Sequence, residues 1–122
     1  MPTAIEPKNL GDLLKFEEAS RYSRDEVTVA AGQRLALGAV VARNPASGEM
    51  SALDPAADGG VAAGVMAEAV EATVAPVRAV MIARHALVSR QALVWPEGIT
   101  PERMVSALAE LESRGIIARE GA

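Results

Sequence analysis

Hydrophobic and polar positions change their period along this chain, and the changes divide it into an N-terminal arm, a strand-rich body and a closing helix. Residues 1–24 carry two prolines, mixed charge and a small apolar cluster of Leu10, Leu13, Leu14 and Phe16, with no sustained helical or strand period. They read as an arm. The alternative for this segment is a short helix over 10–18 packed on the body.

From Glu26 onward, short β-branched runs alternate with Gly, Pro, Asn and Asp, the texture of a compact strand-rich domain. "EVTVAAGQRLALGAVVAR" predicts a strand at 27–29, a turn at Gly32 and Gln33, and a longer strand ending near Arg43. "NPASG" at 44–48 combines a proline-restricted φ with a glycine that tolerates positive φ, so the chain can reverse into a strand at 49–53 as a hairpin. "DPAADGG" at 54–60 is a loop by composition. Ala, Met and Glu make helix a competitor over 61–72. Strands are favoured there, because Gly60, Gly64 and Pro76 punctuate any helix and β-branched residues dominate from Val70.

The C-terminal segment is the most legible. Thr100 is placed as N-cap, Pro101 takes the first helical position where its missing N–H costs little, and Glu102 lies at the positive end of the dipole. Ile99 and Met104 have staple spacing, while Met104, Val105, Leu108 and Leu111 predict the buried face. Gly115 stops the helix after Arg114, and "IIAR" leaves as a strand. The fold class is therefore α+β: a small strand-rich single domain over 25–122 with short strands, hairpins and one C-terminal α-helix, preceded by a flexible N-terminal arm over 1–24.

Composition narrows what such a domain can do. At 122 residues one domain can bury roughly two-thirds of its unfolded surface. Half the residues are apolar, yet there is one Phe, one Trp and one Tyr, so the core is aliphatic and aromatic platforms for bases or sugars are scarce. A net charge of −4 with only two lysines, Lys8 and Lys15, argues against direct nucleic-acid binding, which draws on clustered cations. The absence of cysteine removes disulfides, thiolate metal sites and a Cys nucleophile. The N-terminus does not resemble a secretory signal, and Glu68, Glu71, Arg78 and Arg84 interrupt the best apolar run, so the chain reads as soluble, without a membrane partner.

Catalytic chemistry is not encoded in any recognisable pattern. His85 is the single histidine and lies in the apolar stretch "MIARHALV", where it reads as a structural residue. Ser89 and Ser106 lack a nucleophile-elbow context. Asp54, Asp58 and Gly59 lack the spacing and closing glutamate of a calcium loop, and Gly59, Gly60 and Gly64 match neither a Walker loop nor a dinucleotide fingerprint. We expect no catalytic residues, metal, cofactor or small-molecule substrate. A lipoyl- or biotinyl-type carrier is excluded because both lysines lie in the arm. Two alternatives stay open at this point: a small ligand-binding β-domain with an apolar pocket, and a winged-helix DNA-binding regulator using "LAELESRGIIARE", whose helix carries Glu102, Glu110 and Glu112 against Arg103 and Arg114.

Taken in order, "YSRDEVTVAAGQ", "LALGAVVAR" followed by a polar turn, "DGGVAAGVM" after an Asp-containing loop, and "LVWPE" before the C-terminal helix resemble the lambda-type phage head decoration proteins, over Tyr22 to about Thr100. That resemblance implies a homotrimer on the outer surface of the expanded capsid at local three-fold sites. It also implies a virion location after assembly in the host cytoplasm, and an arm that orders against the major capsid protein. On this basis Leu10, Leu13, Leu14, Phe16 and Tyr22 are expected as capsid-binding contacts of the arm, with intramolecular packing as the alternative. Trp95 and Pro96 are expected as a structural corner that positions the helix, or as a trimer contact.

Overall fold

A computed structural model of the chain describes residues 9–17, 22–56 and 60–120. Residues 1–8 and 18–21, and with them Lys8 and part of the expected arm, lie outside the described residues, as do Asp58 and Gly59. The strands are β1 (Leu14–Glu17), β2 (Arg24–Val29), β3 (Gln33–Leu35), β4 (Val40–Arg43), β5 (Met50–Ala52), β6 (Ala62–Met66), β7 (Val70–Ala72), β8 (Val77–Ile82), β9 (Ala86–Ser89) and β10 (Ile116–Arg119). One helical turn, α1 (Leu10–Leu13), precedes β1, and the main helix α2 (Pro101–Glu112) precedes β10.

Five strands close into a barrel in the order β2-β5-β4-β6-β8. The longest seam is antiparallel, from Arg24 opposite Ile82 to Val29 opposite Val77. Along β4, Val40 and Ala42 belong to one buried cluster and Val41 to another. In β6, Ala62 and Val65 belong to the first cluster and Ala63 and Met66 to the second, a spacing of three that the register shift opposite Val41 and Ala42 allows. The second cluster takes Val27, Val29, Val41, Met50, Ala63, Ala79 and Met81 from all five strands, which makes it the barrel interior. A five-stranded barrel has little room inside, and Ala with flexible Met fills it. The other cluster lies between the barrel wall, α2 and the β9 sheet, around Val65, Ile82, Val88, Leu111 and Ile116. Strands buried on both faces lose the apolar/polar alternation of a half-exposed sheet. That is why β6, buried throughout, shows no strand alternation, whereas β7 keeps it with Glu71 exposed between Val70 and Ala72.

The predicted hairpin at 44–48 forms between β4 and β5. Asn44 Oδ1 accepts from the backbone N–H of Ala46 at 2.8 Å, and Gly48 takes a φ of 77°. The strand expected to run unbroken to Arg43 is instead two, β3 and β4. A turn intervenes in which Gly38 has a φ of 92°, and β3 leaves the barrel to pair with β7 in a two-stranded ribbon. Gly64 is fixed by proximity, since a Cβ there would stand 2.5 Å from the carbonyl oxygen of Ile82.

β9 lies centrally in a second sheet, β1-β9-β10, antiparallel to β1 and parallel to β10. A parallel neighbour requires a crossover, and the segment containing α2 supplies it. Thr100 caps α2 by accepting from the Arg103 N–H at 3.2 Å, Pro101 begins it, and Gly115 ends the turn after it with a φ of 80°. The buried face of α2 differs from the apolar stripe. Arg103, Ala107 and Leu111 are buried, whereas Val105 is 63 % exposed. Arg103, only 3 % exposed, donates to the Gly60 carbonyl at 2.6 Å, to Ser106 Oγ at 2.8 Å and to Glu110. Glu110 accepts in turn from the Ala62 N–H at 2.8 Å. A polar clasp thus holds the helix to the start of β6. Among the described residues no helix is long and apolar enough to cross a membrane.

Candidate functional surface

The segment expected to be an arm is in part a piece of the body. Asn9 and Asp12 form a reciprocal capping box, the Asp12 N–H donating to Asn9 Oδ1 and the Asn9 N–H to Asp12 Oδ2. The single turn they hold ends at Leu14, where the chain becomes extended and pairs with β9. Of the helix alternative over 10–18, the described residues form a helical turn at Leu10–Leu13 and a strand at Leu14–Glu17. The turn points Leu13 into the outer core at 0 % exposure, with Leu10 and Leu14 half-buried against the same cluster. Leu13 thus follows the alternative of packing within the chain. Phe16 and Tyr22, 57 % and 54 % exposed, are the most exposed of the five, with Leu10 and Leu14 partly accessible.

Phe16 pairs with Leu87, and Leu87 pairs with Ile117, so three apolar side chains form one row across the outward face of the β1-β9-β10 sheet. The intervening positions Ala86, Val88 and Ile116 point the opposite way, into the outer core. A bulge between Leu14 and Phe16 makes this division possible, placing Leu14 inward and Phe16 outward across a single step of β9. The row, with His85, Gly115 and Arg119, lines a depression of about 450 Å³.

Bidentate ion pairs fix the junction between this sheet and the barrel. Arg24 donates to both carboxylate oxygens of Glu17, at 2.8 and 2.6 Å, and Arg84 to both of Asp25, at 2.9 and 2.6 Å. Arg84 also donates to the Tyr22 carbonyl at 2.7 Å and lies 5.3 Å from the Tyr22 ring centroid. Hydrogen bonding to Glu17 raises the Arg24 pKa against an opposing effect of burial, and Asp25 does the same for Arg84. A cation whose pKa is raised contributes stability below its ordinary value, as long as its carboxylate partner stays ionised, and loses that contribution only at still higher pH. These pairs therefore persist through the neutral and alkaline range.

His85 adopts a φ of 49°, meets Tyr22 edge-on with ring centroids 5.4 Å apart, and abuts Gly115, where a Cβ would stand 2.8 Å from His85 Cδ2. Trp95 packs on the outer core just after an isolated bridge between Ala39 and Val94, and with half-buried Pro96 it occupies the corner before α2. Among the described residues no group of three His, Cys, Asp or Glu side chains could hold a metal. Sequence reasoning missed the Arg103–Glu110 clasp and the Arg84–Tyr22–His85 cluster. The first leaves a signal, an Arg and a Glu seven residues apart on one helix face, whereas the second joins residues about 62 positions apart and leaves none.

The family model described as bacteriophage lambda head decoration protein D matches residues 3–116. Comparison with curated proteins gave no match.

Proposed function

Since this chain belongs to the bacteriophage lambda head decoration protein D family, and so has a phage capsid decoration role, we propose that it binds as a homotrimer to the outer surface of the expanded head at local three-fold sites and cements the shell. The observation that carries the reading is the extent of the family match, all but two residues at the start of the chain and six at its end. The partner is the major capsid protein, and the role is structural rather than enzymatic.

A ligand that binds the closed lattice but not separated subunits shifts the equilibrium toward the closed lattice by mass action. Three linked copies raise one another's effective concentration, and such avidity multiplies affinity by about 10² to 10⁴. A cyclic trimer needs one heterologous contact repeated until it closes. Phe16 and Tyr22, together with the residues before Asn9, are the contacts assigned to the shell. Trp95 and Pro96 are assigned to the corner that sets α2 on the body.

The test is to mix the protein with expanded, undecorated heads of its own phage, count bound copies, and follow rupture under heat or chelator. Bound copies in multiples of three with a raised rupture temperature are expected. Absence of binding rejects the reading.

A further inference from the structure

We propose that the outward face of the β1-β9-β10 sheet is a second attachment surface, distinct from the residues preceding Asn9, and that it receives an apolar projection set in an acidic patch on the capsid shell. The inference rests on the decoration reading and adds where, and to what chemistry, the body itself docks.

The Phe16–Leu87–Ile117 row is the centre of a longer strip. On one side the depression holding the row shares Phe16 with a second one, of about 340 Å³, that includes Lys15, Glu17 and Arg24. On the other side His85 and Gly115 adjoin Arg84 and Arg114, which with Arg43 and Asp25 line a cleft of about 340 Å³.

Charge along the strip runs opposite to charge over the molecule. The cleft has three arginines against Asp25, a local charge of +2. The apolar depression has Arg119 and no carboxylate, +1. The third has Lys15 and Arg24 against Glu17, +1. A strip of +4 on a chain of −4 concentrates cations where three apolar side chains are also presented. Among the described residues, Arg114 and Arg119 form no ion pair, so their charges are available to a partner. An apolar centre rimmed by one sign of charge suits a protein surface of opposite sign, where the rim steers approach and the centre supplies hold. Nucleic acid is the poorer fit, because the middle of the strip offers aliphatic side chains where a phosphate backbone needs cations.

The experiment uses the full chain and empty expanded heads. Arg114→Glu/Arg119→Glu reverses two exposed charges. Ile117→Ser removes one apolar contact, and Arg34→Glu/Arg78→Glu, on β3 and β8, changes net charge equally but off the strip. Light scattering and thermal melting confirm assembly and folding of each. Both strip variants should lose at least about tenfold in affinity for heads, because each change is repeated in every copy. The charge variant's deficit should shrink at about 0.5 M salt, where screening shortens to a few ångströms, and the off-strip control should bind like the parent.

Unchanged binding by the strip variants, with the parent still decorating heads, overturns the inference and leaves the decoration reading intact. An equal loss in the control overturns it in favour of overall charge, and a monomeric strip variant reassigns the face to protomer contacts. A DNA duplex retarded by the parent but not by the charge variant reassigns it to nucleic acid. Failure of the parent to bind heads removes both readings.

Discussion

Single positions in this molecule are constrained by close approach and by burial of charge more than by motif. Gly64→Ala places a methyl group against the Ile82 carbonyl oxygen and the Met81 side chain, with a backbone atom as the least yielding neighbour. A loss of about 1–3 kcal/mol is expected in urea unfolding, with the upper half of that range favoured by the rigidity of the barrel wall. Arg103→Ala leaves the Gly60 carbonyl without its donor, a loss of about 1–3 kcal/mol, while Glu110, about a quarter exposed, keeps access to solvent. Glu110→Gln keeps the acceptor for Ala62 but leaves the guanidinium, 3 % exposed, without its counter-charge, so it should destabilise at least as much; a loss near zero in either variant contradicts the clasp. Arg103 shows what an apolar stripe alone does not reveal: the pattern of α2 pointed to Val105, while the fold buried a guanidinium held by Ser106 and Glu110 on its own helix and by the Gly60 carbonyl, far away in sequence.

At the scale of elements, legibility followed how local the causes were. The Thr100 cap, Pro101 and the Gly115 stop are contained within α2 and its ends, and the structure has all three. The hairpin at 44–48 and the strand character of 61–72 were readable for the same reason. The split of one expected strand into β3 and β4 was not, because it depends on β7 offering β3 a separate partner. Nor was the fate of Leu13, which joins an outer core whose other members include residues of β9, distant in sequence. Thr100→Ala should lower stability by about 1 kcal/mol with an unchanged denaturant slope. Leu13→Ala should cost about 2–5 kcal/mol, whereas Phe16→Ser, at an exposed site, should stay within about 0.5 kcal/mol while weakening attachment to heads. Removing residues 1–24 takes Leu13 from the core and β1 from its sheet, so that truncation should lower the melting temperature as well as binding. Removing only residues 1–8 should leave the melting temperature unchanged and weaken binding alone. Equal melting temperatures for the two truncations would show β1 to be dispensable.

For the whole molecule, one body combines a small barrel, whose interior is filled by Val, Ala and Met side chains, with an outer sheet that offers an apolar and cationic face. The barrel and α2 supply rigidity, and the sheet presents the Phe16–Leu87–Ile117 row. At 12.6 kDa per chain, light scattering should return about 38 kDa for a trimer, and dilution to the monomer should weaken decoration in step. The most direct measurement is cryo-microscopy of expanded heads incubated with the protein. Three-copy density over each local three-fold position, with the outer sheet turned toward the shell, is the predicted result; bare three-fold positions beside abundant free protein would contradict it.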